Sequence, residues 1–252
     1  LDKPYEQWEM GKVPSYRLEQ VRKWVFDHGC LDWSKMTNLP QSLRDEISQN
    51  FDLVPMQLLR TQGSSDTTRK LLWKLRDNQL IESVLIPATE GTKGVRSSRL
   101  TLCVSTQVGC AIGCKFCASG LDGLKRNLTT GEIVGQILMA RNEANRRIDN
   151  LVFMGMGEPL SNRKAVHDSL SILNQGYAVG ARRITVSTVG VVPGILELAE
   201  RPEQFRLALS LHAPISELRL SLIPLEKRHP LPEVLSALKR FNQSGGKRIT
   251  FE

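Results

Sequence analysis

Leu100-Thr-Leu-Cys103-Val-Ser-Thr-Gln-Val-Gly-Cys110-Ala-Ile-Gly-Cys114-Lys-Phe-Cys117 decides the reading of this 252-residue chain. The stretch opens as a strand-like run and passes into a loop with three cysteines in a CxxxCxxC spacing. Downstream, extended runs at 150–154, 183–188, 205–211 and 248–251 alternate with helical ones. Thr129 and Glu132 form a capping-box pattern ahead of Ile133, Ile137 and Leu138. Over 231–242, Val234, Leu235 and Leu238 keep helical spacing before Gly245-Gly246. Alternating strands and helices imply a parallel sheet, and so an α/β fold. Periodicity alone leaves an open sheet and a partial β/α barrel as alternatives, but both place functional groups at the carboxyl ends of strands, where the cysteines lie.

Upstream the pattern differs. Over 16–28, Leu18, Val21, Trp24 and Val25 recur at helical spacing with Gly29 beyond the end, and Pro40 opens a second helix carrying Leu43 and Ile47. From Thr68 the runs become extended, and 69–75 and 79–87 flank Asp77-Asn78, a pair suited to a tight turn. The run 89–98, rich in Gly, Ser, Thr and charge, reads as an exposed loop. The expected division is a helical accessory domain over 1–66, a β-hairpin and linker over 67–99, and the β/α core over 100–252. Glu82 shares a period-two face with Leu80, Val84 and Ile86, which predicts a carboxylate in an apolar row, raised in pKa and suited to abstracting a proton. A charge that protects an edge strand is the alternative.

The net charge of +8 is spread over pairs such as Lys125-Arg126 and Arg182-Arg183. It is read either as attraction to a polyanion or as solvated helix faces. No run approaches the roughly 20 apolar residues of a membrane span, and the first residues lack a signal-peptide layout. The expectation is a soluble intracellular protein, cytoplasmic, with a plastid or other organelle left open. Three of five cysteines crowd into positions 110–117, which in a reducing compartment points to metal or catalysis. Cys30 stands in no motif and reads as structural.

Zinc usually takes four ligands, and no fourth Cys or His stands nearby at finger-like spacing. A four-iron cluster held by three thiolates instead keeps one iron open to a ligand. After the run 150–154 comes Gly155-Met-Gly157-Glu158-Pro159, where glycines permit close backbone approach and Glu158 can accept from an ammonium group. By itself that segment is equally a plain strand-to-helix turn.

The cysteine spacing, with Phe116 before its last thiol, resembles the radical S-adenosylmethionine (SAM) signature. Together with Leu102 to Cys110, the Gly155–Pro159 element, Ser187-Thr-Val-Gly190 and Leu209-Ser-Leu-His212-Ala213, it resembles the RlmN/Cfr family of radical SAM RNA methyltransferases. The resemblance runs from the helical module to Glu252. It implies a partial (β/α) radical SAM barrel with a small N-terminal helical, RNA-binding domain and a linking β-hairpin. It implies a [4Fe–4S] cluster on Cys110, Cys114 and Cys117, and SAM lined by Gly157, Glu158, Ser187, Ser210, Leu211 and His212. It makes Glu82 the general base. It makes Cys103 the resolving thiol, which forms a disulfide with a methyl-carrying cysteine near the carboxyl terminus and releases the product. The implied product is 2-methyladenine in large-subunit ribosomal RNA and some transfer RNAs. The implied partners are rRNA, tRNA and an electron donor such as flavodoxin or ferredoxin, with the chain a monomer. Without the resemblance, Ser187 and His212 read equally well as hydrogen-bonded structural residues. The C8-methylating branch shares nearly all these motifs, and a zinc-bearing RNA-binding module is the reading outside the family. No counterpart of the methyl-carrying cysteine precedes Glu252, so the expectation is a truncated chain that does not complete methyl transfer.

Overall fold

The computed structural model describes residue 2 and residues 13–64, 67–88 and 99–252. The run 89–98, read above as an exposed loop, lies outside the described residues. Helix α1 (Ser15–Arg22) continues through a wider π turn to Asp27 and buries Val21, Val25 and Phe26. Helix α2 (Gln41–Asn50) starts behind Pro40 and buries Ile47. The helical module is tied to the rest of the chain by side chains of α3 (Thr130–Ala144): Arg141 donates to the carbonyls of Phe26 and Asp27, and Asn142 to that of Gly29 at 2.9 Å.

The expected hairpin is a three-stranded meander. Strands β2 (Arg69–Leu75) and β3 (Leu80–Pro87) pair around Asp77-Asn78, with Asn78 in the left-handed region at φ 66°. A further strand, β1 (Met56–Gln62), precedes them and pairs antiparallel with β2. It falls in the stretch assigned above to the helical domain. Its alternation is hidden because the register shifts between Leu58 and Arg60, and the extra residue, Leu59, breaks the period of two.

Beyond the meander, β4 (Leu100–Cys103), β7 (Asn150–Phe153), β8 (Ile184–Thr188), β9 (Arg206–Leu209) and β10 (Ile249–Phe251) form the parallel part of one eight-stranded sheet, in the order β1-β2-β3-β4-β7-β8-β9-β10. Each new parallel strand adds beside the last with no reversal, which is barrel-like winding; a doubly wound sheet would turn back at a switch point. Helices α3, α4 (Arg163–Ser171), α5 (Val192–Glu200) and α7 (Leu231–Gln243) intervene, and the shorter α6 (Ser216–Leu222) follows β9. The core holds Leu102, Leu151, Phe153, Val186 and Leu207 of the sheet with Ile133, Ile137 and Leu138 of α3. A separate hairpin, β5 (Gln107–Gly109) with β6 (Leu124–Asn127), brackets the cysteine loop.

Among the described residues no helix is long and apolar enough to cross a membrane.

Candidate active site

The parallel strands end together, and the candidate residues follow from that. Cys110, Cys114 and Cys117 lie in the loop between β5 and β6, closed at its neck by Cys110 N–H donating to the Gly123 carbonyl at 3.2 Å. Gly113 sits at φ 68°, a left-handed turn that glycine adopts freely. All three thiols are half-buried and free. Burial pushes the Cys110 thiol upward, and the neighbouring Glu158 and Cys117 add to that; burial, with Cys110 and Cys117 beside it, pushes Cys114 up to about 11. Thiols that discourage one another's ionisation in this way are stabilised as thiolates once a cation arrives.

Among the described residues no three metal-ligating side chains converge on a single point. Three thiolates alone are one ligand short of a closed zinc site. A four-iron cluster gives each thiolate its own iron, so its ligands need not converge, and the three half-buried thiols fit it.

Glu158 is buried behind the loop. One carboxylate oxygen accepts from Leu160 N–H at 3.0 Å and the other from Val189 N–H at 2.9 Å, tying the ends of β7 and β8 together. Gly157 precedes it at φ 97°, where an added Cβ would lie 2.5 Å from that of Gln107. Burial lifts the Glu158 carboxyl to about 7 against the N–H donors that lower it, so an ammonium ligand would find an anion short of positive partners. The folded chain thus holds this proton up to about pH 7, whereas an unfolded carboxyl releases it near 4.5. The sign follows: stability falls as pH rises through that window, by at most on the order of 3 kcal/mol. Thermal melts of wild type and Glu158→Gln are expected to diverge between about pH 5 and pH 8, with the variant gaining relative to wild type at the higher pH. A constant difference between the two melting temperatures counts against this burial.

Ser187, one residue before the end of β8, has its Oγ 3.3 Å from that of Ser210, just beyond β9. Leu211 and His212 N–H groups both donate to the Glu252 carbonyl, at 2.9 and 3.0 Å. His212 is exposed, at φ 54°, with its ring centroid 4.3 Å from that of Phe116 in the cysteine loop. Its ring faces the thiols' own loop.

Cys103 ends β4 on the sheet face turned away from α3. Burial pushes its thiol up to about 11. In the metal-free chain it is expected to react with iodoacetamide at about pH 8 on the order of 100-fold more slowly than a free thiol. Peptide mapping after a short pulse reads this, and alkylation at the free-thiol rate would contradict the burial.

Glu82 corrects an expectation. The row Leu80, Glu82, Val84, Ile86 is the more exposed face of β3, while Ile81, Ser83 and Leu85 are buried toward α3. The apolar row around Glu82 is therefore open surface, and its carboxylate pairs with Lys70 at 2.9 Å. Register still sets Glu82 beside the site, because Val84 pairs with Cys103 and the Glu82 carbonyl accepts from Ser105 Oγ at 2.6 Å.

Several supporting residues were given no role by the motifs. Gln107 accepts from Glu158 N–H at 2.8 Å, and Gln136, fully buried, binds Ser83 Oγ and both main-chain groups of Ser105. Arg126 on β6 donates to both carboxylate oxygens of Glu132 at 2.8 Å and to Asp77 at 2.6 Å. The one sequence clue was Glu132, whose place in a capping box sets an anion near the loop.

The sequence pattern of the Radical SAM superfamily matches residues 104–252, and that of the ribosomal RNA large subunit methyltransferase N-terminal domain matches residues 8–53. A probable dual-specificity RNA methyltransferase RlmN from Akkermansia muciniphila is 48% identical over 239 residues, covering 94% of this chain and 67% of that protein. One of the same name from Dictyoglomus thermophilum is 45% identical over 95% of this chain and 68% of its own length. A crystal structure of a radical SAM methyltransferase from Sphaerobacter thermophilus superposes with a TM-score of 0.87 at 44% identity, over 95% of this chain and 70% of that one. With the thiols, the buried glutamate and the barrel-like winding all at the same strand ends, the chain belongs to the radical SAM superfamily and, within it, to the RlmN-type methyltransferases.

Proposed function

We propose that this chain carries the catalytic core of an RNA methyltransferase that forms 2-methyladenine in large-subunit ribosomal RNA and in tRNA. The observation that carries the reading is the position of Cys103: a further, half-buried thiol on the sheet face beside Glu82, at the same end of the strands as the cysteine loop. A radical SAM enzyme acting on a small molecule has no use for that pair, nor for the helical module.

Membership brings SAM and a [4Fe–4S] cluster with it. Bound together, they supply one-electron chemistry for an aromatic carbon too weakly nucleophilic to displace a methyl group directly. In this reading Cys110, Cys114 and Cys117 hold the cluster. Gly157 and Glu158 take the amino end of SAM, and Ser187, Ser210, Leu211 and His212 line the rest of its site. Glu82, released from Lys70, accepts the ring proton, and Cys103 is the thiol that frees the product. The electron donor is a flavodoxin or ferredoxin, and the protein acts as a cytoplasmic monomer.

The chain spans about two thirds of the Akkermansia relative. The test therefore joins it to the remaining third of that relative, reconstitutes the protein anaerobically, and supplies SAM, reductant and either rRNA or tRNA. Formation of 2-methyladenosine that is lost with Cys103→Ala is expected from nucleoside mass spectrometry. The 8-methyl isomer would move the assignment to the other carbon of adenine, and unmodified RNA beside cleaved SAM would overturn it.

A further inference from the structure

We infer that the open face of the β1–β3 meander is the platform for the unpaired nucleotides that flank the reacting base; this rests on the RNA reading above and places the RNA on it. The face is defined by register. One row runs across the sheet from Lys70 through Val84, Cys103, Val152 and Thr185 to Arg206. The next row along the meander is Arg60, Leu72 and Glu82, and the one after is Gln57, Lys74 and Leu80. Side chains of paired residues project to the same side of a sheet, so these rows share one surface with Cys103. The other side of the meander is sealed: Leu71, Trp73, Ile81 and Leu85 are fully buried, and Ser83 bonds Gln136 of α3 at 2.7 Å.

The chemistry of that surface is specific. On the meander it carries three cations, Arg60, Lys70 and Lys74, with Arg206 at the far end of the first row, against one carboxylate, Glu82, which is paired with Lys70. Among the described residues Arg60 and Lys74 have no ion-pair partner. Beside the cations stand aliphatic side chains left in solvent, Leu80 at 45% and Ile86 at 38% exposure, both on the Glu82 face of β3. A merely solvated sheet face would be polar there, and cations in excess of the one carboxylate favour a polyanionic partner. Cations beside apolar ground suit a single strand, whose phosphates meet the former and whose bases lie on the latter. A duplex hides its bases, and an adenine must leave its stack to reach Cys103, so its neighbours arrive unpaired.

Binding of a short fluorescein-labelled oligoadenylate, followed by anisotropy over a salt series, tests the assignment with the chain as it stands. Arg60→Glu/Lys74→Glu is expected to bind at least about 10-fold more weakly. Its slope of log affinity on log salt should shrink by about 1.4, the share of two phosphate contacts on a single strand. Leu80→Ser is expected to weaken the oligoadenylate with an unchanged slope and to leave an RNA duplex of equal length unaffected. The neutral pair Arg60→Gln/Lys74→Gln gives the same ordering with less charge reversal, should the glutamates disturb the strands. Affinity and slope equal to wild type in both double variants would overturn the surface while leaving the RNA reading intact. An equal loss from Lys239→Glu/Arg240→Glu, on exposed positions of α7, would also overturn it, because net charge would then be the cause. Wild type that binds no RNA at low salt would remove both readings.

Discussion

Cys114→Ala is expected to leave the chain folded and without its iron–sulfur cluster. Anaerobic reconstitution of the wild type should yield about four irons and four sulfides per chain, with a broad absorbance that bleaches on reduction. Cys114 stands in the middle of the loop, half-buried, with Cys110 and Cys117 close enough to raise its pKa and no other ligand group drawn in to replace it among the described residues. Two remaining thiolates leave two irons without protein ligands, so iron and sulfide should fall to near background. Cys30→Ala, which removes a thiol in the helical module, should retain the full complement. The fold should survive the first substitution, because the loop is closed by main-chain bonds, Cys110 to Gly123 and Lys115 to Leu222, at 3.2 and 3.0 Å. Zinc bound without sulfide in the wild type, or undiminished iron in Cys114→Ala, would contradict the assignment.

Arg219→Ala is expected to be the most damaging single change to stability. Arg219 is fully buried on α6 and donates to the Glu226 carboxylate and to the Val189 carbonyl; the second oxygen of Glu226 accepts from Leu231 N–H at 2.7 Å. Removing the guanidinium strands a carboxylate that is 5% exposed. Breaking a buried pair from one side costs about 3–5 kcal/mol, which in a chain of this size lowers the melting temperature by about 10 °C. Lys164 with Asp168, the former 85% exposed, is a pair whose loss should cost under about 1 kcal/mol. Replacing both partners, as Arg219→Met/Glu226→Leu, should recover most of the loss, since the cost lies in the orphaned charge. The site should register the single change too, because Val189 carries Arg219 on its carbonyl and Glu158 on its N–H. A melting temperature within a few degrees of wild type for Arg219→Ala would show that water reaches Glu226.

The parallel strands, α3 and α7 were legible because their apolar spacing coincides with one buried face, and the cysteine loop because its spacing is local. β1 was not, since its bulge places Leu58 and Leu59 side by side and destroys the alternation. Glu82 shows a different limit. Period two tells which residues share a face, but both faces of β3 carry apolar side chains, and α3 decides which is covered. Its partner Lys70 lies twelve residues upstream and enters only through the pairing of β2 with β3. The same holds for Gln107 with Glu158, Gln136 with Ser83 and Ser105, and Arg126 with Asp77, single polar residues whose partners lie 31 to 53 residues away, although Arg126 also meets Glu132 only six residues on.

Arg126 joins three pieces that the chain delivers separately: the hairpin that brackets the thiols, the first turn of α3 through Glu132, and the tip of the meander through Asp77. The two attachments are unequal, with the Glu132 side chain 10% exposed and that of Asp77 43% exposed. Ionic strength therefore loosens them in order, the meander first and the helix last. The cysteine loop is moored on a long line and a short one, so a load on the strands slackens the outer tether while the metal-binding end stays berthed against α3.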